Sequence, residues 1–448
     1  MAALTILHIG TCDTKLSELL YVRSCIRSCI RSCIPEVTTV ILIDAGRTPV
    51  SQPAITVTQD VLVAKYRSSV TSPCDNAADV SNLSRAEVIK IMTDCATACV
   101  QDLYSNSLLH GVISIEGSCG TALASAVMRE ALPFTFPKLI VSTVASGDTS
   151  HIVGESDITL MYSIVDIAGS NSILNDVLDN AAGAIAGMAR AYHARLQQEY
   201  EEEQGTPEGT QKAAPRKKRI AITMFGVTTP CVNAMRHHLT TKYDYEVYVF
   251  HATGHGGRAM EPLIFSKGID AVIDLTITEV PDKIVGGLMS AGPERLEAAA
   301  KAGIPQVISF GACDMVNYRS RNTLPGTFVK AGRNIFEHNA SVTLVRTNVE
   351  ECRQIGRFIA EKLEGHCARP GDVQVVLPVG GISLISKPGD AFADRNADNS
   401  LFAAIEEGLK GSEIEVIRDE RDINNEDFAV ATAERLVRLI ERATSEKQ

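Results

Sequence analysis

The stretch HATGHGGRAM, residues 251–260, gathers His251, His255 and Arg258 within eight positions, among small residues. A guanidinium grips phosphate through two parallel hydrogen bonds. An imidazole moves a proton near neutral pH or binds a metal. Gly254, Gly256 and Gly257 let backbone amides approach a bound group. The two histidines lie four apart in a glycine loop and lack the rigid helical face of an HExxH zinc site. The segment reads equally well as a solvated loop that caps the next helix.

A second stretch, EGSCGT (116–121), raises different chemistry. Ser118 or Cys119 could be a nucleophile, or the glycines could clear room for an anion. A hydrolase elbow needs glycine two residues before and two after its serine. Gly120 fits, but Glu116 stands at the earlier position and would crowd the turn. No Asp-then-His pair is marked later in the chain, and no cationic partner marks Cys119 as a thiolate. The anion-cradling turn is the better reading.

Related turns end other apolar runs: GTCDTK (10–15), STVASGDTS (142–150), MFGVTTPC (224–231), DLTITE (274–279), FGACDMVN (310–317) and PVGGIS (378–383). Each offers Gly, Ser or Thr, and several add an Asp. A glycine turn leading into a helix supplies oriented amides and a partial positive charge, which suit phosphate or carboxylate. Any one such turn is weak evidence. Repeated at matching sheet ends, they point to a polar, phosphorylated ligand.

The elements that hold these turns alternate. Short β-rich runs such as LTILHIG, TTVILIDAG and GVISIEG are separated by helical runs. Ser84 and Glu87 form a capping box at the start of one long helix. The β-α-β-α order implies an α/β fold with a mostly parallel sheet and helices on both faces. The pattern breaks over residues 199–218, which are charged and nearly free of large apolar side chains, and then restarts at RIAITMFG. The expected organisation is an N-terminal unit over 1–198, a mobile linker over 199–218 and a C-terminal unit over 219–448. The two halves share a plan without a convincing residue-level repeat. Pro230 suits the first turn of a helix. The triple RSCI over 23–34 places Cys25, Cys29 and Cys33 four apart, and reads as a duplicated helix extension rather than a metal site.

Bulk properties exclude several classes. A formal net charge of −11 argues against broad nucleic-acid binding. No run approaches the length of a membrane span, and the N-terminus is not a secretory signal. A cytoplasmic protein is expected, with its 12 cysteines mostly free thiols.

At the loops the sequence resembles a known family. GTCDTK, GSCGTALASAVM, the run 137–171, ITMFGVTTPCV, VFHATGHGGRAME, AGPERLEAAAKAGIPQV and DMVN are similar to the uncharacterised family that contains the tomato mosaic virus resistance protein, described as carrying an ATP-binding domain. The resemblance spans about residues 5–439. It implies two Rossmann-like subdomains, a homodimer and ATP binding, but no known reaction. Plant members continue into a barrel-type domain, so a separate barrel-domain partner is implied here. Members commonly have glycine where Glu116 stands.

The leading expectation is an ATP-binding protein without a P-loop, since no GxxxxGK[ST] occurs. Lys15 would supply the cation. Gly10, Thr11 and Asp13, then Gly117, Ser118, Gly120 and Thr121, and then Ser146, Gly147, Asp148 and Thr149 across the cleft would hold the nucleotide, with Gly254, Gly256 and Gly257 as a further cradle. Asp13, Asp148 and Asp157 are the Mg²⁺ candidates, because Mg²⁺ takes few carboxylates and keeps water. The alternative is a metabolic enzyme acting on a small carboxylated or phosphorylated substrate in a cleft between the subdomains, with His251, His255, Arg258 and Asp314 in acid–base and anchoring roles. A module that blocks a partner protein would fit the plant relative, though no feature here supports it.

Overall fold

The computed structural model describes residues 4–31, 39–67, 80, 83–204, 216–266 and 268–446. The chain forms two compact units, Met1–Ala213 and Ala214–Gln448. Each is an α/β unit built on a parallel sheet.

In the N-terminal unit the elements run β1 (Thr5–Gly10), α1 (Cys12–Arg31), β2 (Thr39–Asp44), α2 (Gln59–Tyr66), α3 (Arg85–Ser105), β3 (Gly111–Glu116), α4 (Ser118–Ala131), β4 (Lys138–Ser142), α5 (Ser150–Val153), β5 (Thr159–Tyr162) and α6 (Ser172–Gln204). The strand order is β2-β1-β3-β4-β5, and every pairing is parallel. Alternate strand residues face opposite sides of a sheet. Ile6, Ile113 and Ile115 therefore meet Leu19 and Val22 of α1 and Leu178 and Ile185 of α6. Leu7, Ile9 and Val112 meet Val88 and Met92 of α3 and Val127 and Met128 of α4. The expected capping box is present at α3, where Ser84 accepts from Glu87 N and the Glu87 carboxylate accepts from Ser84 N.

The C-terminal unit runs β6 (Arg219–Met224), α7 (Thr229–Tyr243), β7 (Glu246–His251), α8 (His255–Ser266), β8 (Ala271–Thr276), α9 (Glu279–Val285), α10 (Glu297–Ala302), β9 (Gln306–Gly311), β10 (Met315–Tyr318), α11 (Gly326–Lys330), β11 (Ile335–Asn339), β12 (Val342–Arg346), α12 (Val349–His366), β13 (Val373–Pro378), α13 (Arg395–Gly408), β14 (Glu415–Asp419) and α14 (Glu426–Ser445). The main sheet is parallel in the order β14-β13-β9-β8-β6-β7. α7 and α14 cover one face. α8 and α10, then α12 and α13, cover the other. A small antiparallel sheet, β10-β12-β11, is an addition that the strand–helix alternation did not foreshadow.

In each unit the first strand has the second on one side and the third on the other. The loops after the first and third strands leave toward opposite faces and open a crevice at the carboxyl end, where ligands bind in sheets of this kind. The crevices lie at β1/β3 and at β6/β8. The terminal residues correspond: β3 reads GVISIE and β8 reads AVIDLT, so Glu116 and Thr276 hold the same place.

Other expectations shift. α6 extends through residues 199–204, which the sequence assigns to the linker. His255 opens α8 rather than lying mid-loop. Cys25 and Cys29 lie on α1 and Cys33 falls outside the described residues. Every described cysteine is a free thiol. Among the described residues no helix is long and apolar enough to cross a membrane.

Candidate functional site

β1 ends at Gly10, a buried residue whose absent Cβ makes room for Leu19 of α1. The chain then turns, placing Thr11 opposite the end of β3. Thr11 N donates to Glu116 Oε1 at 2.7 Å, and Thr11 Oγ1 donates to Glu116 Oε2 at 2.9 Å. These two bonds cross the crevice. The carboxylate folds under the first turn of α4, where a Cβ at Gly120 would stand 2.0 Å from Oε2. Glu116 is only 3% exposed. Burial pushes its pKa up to about 7, against the opposing effects of the Thr11 bonds and the Lys15 charge.

A cavity of about 480 Å³ opens above this point. Its walls include Lys15 from α1, Arg47 from the loop after β2 and Arg85 at the start of α3. Val88, Ile89, Met92 and Leu123 form an apolar side. Arg47 and Arg85 are exposed. The Lys15 ammonium donates to the Ile167 carbonyl, and Arg47 Nη2 donates to the Leu83 carbonyl at 2.9 Å. At one end Asp13 Oδ2 accepts from Arg47 N at 3.0 Å and Thr48 N at 3.1 Å. Behind it lies Asp44, fully buried, whose Oδ1 accepts from Cys12 N and Gly46 N. Asp44 Oδ2 has no partner among the described residues, and burial raises the pKa of this carboxyl.

α4 begins with Gly117 as its N-cap, and no side chain caps it. The amides of Ser118, Cys119 and Gly120 meet no acceptor among the described residues. The helix therefore presents an open positive end to the cavity. Cys12 is no nucleophile: burial and the Asp44 carboxylate raise its thiol pKa far above neutrality.

The crevice gathers Thr11, Asp13, Lys15, Gly117, Ser118 and Gly120 of the expected set. It does not gather the others. Thr121 is buried, with Oγ1 2.7 Å from Ser142 Oγ, so it fastens α4 to β4 instead of facing a ligand. Ser146, Gly147, Asp148 and Thr149 lie after β4 and do not line the cavity; Asp148 accepts from Ser150 N and Oγ. Asp157 stands before β5, at the opposite edge of the sheet, where it pairs with the buried Lys138 at 2.6 Å. The three proposed Mg²⁺ carboxylates are thus not assembled. Among the described residues no group of three His, Cys, Asp or Glu could hold a metal. Arg47, next to Gly46 in the turn after β2, and Arg85, at the start of α3, went unnoticed in the sequence because they come from separate elements and meet only in the fold.

The 251–258 loop also departs from expectation. Gly254 N and Gly257 N donate to Glu279 Oε1 at 2.8 and 3.0 Å. The cradle is already filled by a carboxylate of the chain. Glu279 Oε2 accepts from Arg295 Nε at 2.8 Å, so it is itself held in place. A Cβ at Gly256 would stand 2.0 Å from the His251 carbonyl oxygen. These glycines serve close packing. His251 stacks on Phe225, and Arg258 bonds His255 Nδ1 at 3.1 Å and the Ser290 carbonyl at 2.6 Å. Asp314 is not brought to them: it is fully buried after β9 and accepts from Ser383 Oγ at 2.7 Å. In the second crevice Thr228 Oγ1 lies 2.7 Å from Thr276 Oγ1, closing with hydroxyls what Glu116 closes with a carboxylate.

Gly257→Ala tests the filled cradle. Its Cβ would lie 2.3 Å from Glu279 Oε2, which Arg295 prevents from retreating. A loss of about 1–3 kcal/mol in the C-terminal unit is expected. Gly226→Ala, with open space around its Cβ, serves as control. Equal urea midpoints for the two variants would contradict the packing role.

Residues 4–194 match the N-terminal domain of an uncharacterised protein family, UPF0261, and residues 217–440 match its C-terminal domain. The chain belongs to this family. Among UPF0261 relatives, one from Clostridium tetani is 38% identical over 437 residues, covering 98% of this chain and 99% of its own. The ToMV susceptible protein tm-1 and the ToMV resistance protein Tm-1 of Solanum lycopersicum are each 38% identical over 413 residues, covering 90% of this chain and 52% of theirs. Among solved structures, UDP-N-acetylglucosamine 2-epimerase from Rickettsia bellii aligns at 12% identity with a TM-score of 0.20, over 68% of this UPF0261 chain and 78% of the enzyme.

Proposed function

We propose that the N-terminal unit binds a small phosphorylated ligand, with ATP the leading candidate, in the β1/β3 crevice. The observation that carries this reading is the uncapped start of α4, opening into a cavity walled by Lys15, Arg47 and Arg85. Open amides at a helix start, at its positive end, make a phosphate site once cations flank it. The apolar side at Val88, Ile89, Met92 and Leu123 suits a base or another flat group.

The carboxylates do not fit a resident Mg²⁺. Asp13 is committed to two amides, and Asp148 and Asp157 lie elsewhere. The residues that line the crevice support binding and orientation of the ligand.

Arg85 has no hydrogen bond or ion pair among the described residues and is exposed, so its replacement leaves the fold intact. Calorimetric titration with ATP, ADP and AMP should show binding, and Arg85→Glu should weaken it about tenfold or more. No heat with any nucleotide at millimolar concentration would sink the reading.

A further inference from the structure

We propose that Glu116 reads a hydroxyl of the ligand, so that the crevice selects a phosphorylated polyol, a ribonucleotide or sugar phosphate, over its deoxy counterpart. The inference rests on the phosphate reading above and assigns the adjoining part of the same ligand.

The cavity is polarised. Glu116 sits at its floor, with Asp44 buried nearby, while half-buried Asp13 stands at one end, beside Arg47. Arg47 and Arg85 stand at its exposed wall. A phosphate pressed against the floor would meet carboxylates in a water-poor setting, where like charges repel strongly. It belongs outward, on Ser118 and Cys119 N and the two guanidiniums. The floor then faces the rest of the ligand, and its complement is a hydrogen-bond donor.

Glu116 is built for that contact. A carboxylate offers about four acceptor positions. Thr11 uses one on each oxygen, N on Oε1 and Oγ1 on Oε2. Each oxygen keeps a further acceptor position, and neighbouring hydroxyls of one sugar ring could take both. The same two Thr11 bonds fix the rotamer, so little ordering accompanies binding. Gly120 leaves the space that the carboxylate occupies, since any side chain there would strike it. The Thr228–Thr276 pair at the equivalent place in the second unit offers only neutral hydroxyls, and Thr228 Oγ1 is also bonded to Phe225 N, so it presents no charged acceptor. Asp13 is less suited to the task, because Oδ2 already takes two amides.

The test compares ligands first, which needs no variant. The full chain at pH 8 is titrated with ATP and 2′,3′-dideoxy-ATP, and with ribose 5-phosphate and 2-deoxyribose 5-phosphate. The hydroxyl-bearing member of at least one pair should bind on the order of 10- to 100-fold tighter, the effect of a hydrogen bond to a charged acceptor. Glu116→Ala, checked by its melting curve, should bring the two members of that pair together; Glu116→Gln, which keeps one acceptor oxygen, should fall between. Equal affinities within both pairs in the native chain, or a preference that survives in a folded Glu116→Ala, overturns the inference. If the pairs are equal while Arg85→Glu still weakens binding, the phosphate reading stands and only the role of Glu116 falls. If none of the four ligands binds, both fall.

Discussion

Arg295→Met is expected to destabilise the C-terminal unit by about 3–5 kcal/mol, enough to unfold it under mild conditions. Arg295 is 1% exposed and lies among three carboxylates: Asp274 at 2.5 Å, Glu279 at 2.8 Å and Glu261 at 3.2 Å. Gln306 Nε2 adds a bond to the second oxygen of Asp274 at 2.9 Å. The carboxylates hold the guanidinium pKa above its ordinary value, against the effect of burial. Methionine fills a similar volume but leaves three acids buried without a cation. They can relieve this only by taking up protons. The variant should therefore recover part of its stability as pH falls from 8 toward 5, because protonation then favours its folded state. Arg295→Lys should do better than methionine and worse than arginine, since an ammonium cannot fork to three partners. The same loss should release the Gly254 and Gly257 amides, which depend on Glu279. Urea unfolding at pH 5 and pH 8 reads this directly. A methionine variant within 1 kcal/mol of the native chain at both values would contradict the network's role.

The second large effect is expected at His8, in the middle of β1. The ring is fully buried, and neither nitrogen has a partner among the described residues. Burial, helped by the nearby Arg23 charge, holds its pKa down at about 3. In the unfolded chain the ordinary value is 6.5. Below 6.5 the unfolded state therefore takes up the proton first, and stability falls as pH drops from there toward 3, by up to about 1.4 kcal/mol per pH unit. Glu116 acts with the opposite sign. Its folded pKa of about 7 exceeds the unfolded 4.5, so the folded state binds the proton more readily and stability falls as pH rises through that window. Between about 4.5 and 6.5 the two slopes oppose. Below 4.5 the Glu116 slope is spent and that of His8 remains, joined by His110, whose burial lowers its pKa to about 4. His8→Leu, which needs no hydrogen bonds, should stabilise the N-terminal unit by about 2 kcal/mol or more at pH 4 and far less at pH 8. Denaturant midpoints at the two pH values check this; a gain of the same size at both would show that the titration of His8 is not its cause.

The alternation of apolar runs and glycine turns was enough to read two α/β units, because parallel strands buried on both faces leave continuous apolar signatures. Local chemistry was legible too. Ser84 with Glu87 caps α3, and Pro230 lies in the first turn of α7. What local pattern cannot show is which glycine turns stay open. HATGHGGRAM looks the better phosphate cradle by composition, yet Glu279 from the next strand–helix connection fills it. EGSCGT looks compromised by its glutamate, yet that side chain turns beneath α4 and leaves the helix start clear. Both outcomes depend on contacts between residues distant in sequence, as does the arrival of Arg47 and Arg85 from separate elements. Small additions such as β10, β11 and β12 escape for a related reason: short strands paired antiparallel outside the main sheet share no period with it.

The occupancy of the β1/β3 crevice is read most directly in a crystal structure of the full chain grown with millimolar ATP. Phosphate oxygens are expected within hydrogen-bond distance of Ser118 N or Cys119 N, flanked by Arg85, with the sugar toward Glu116. Nucleotide seated on the 251–258 loop, or bound elsewhere with the crevice empty, would contradict it.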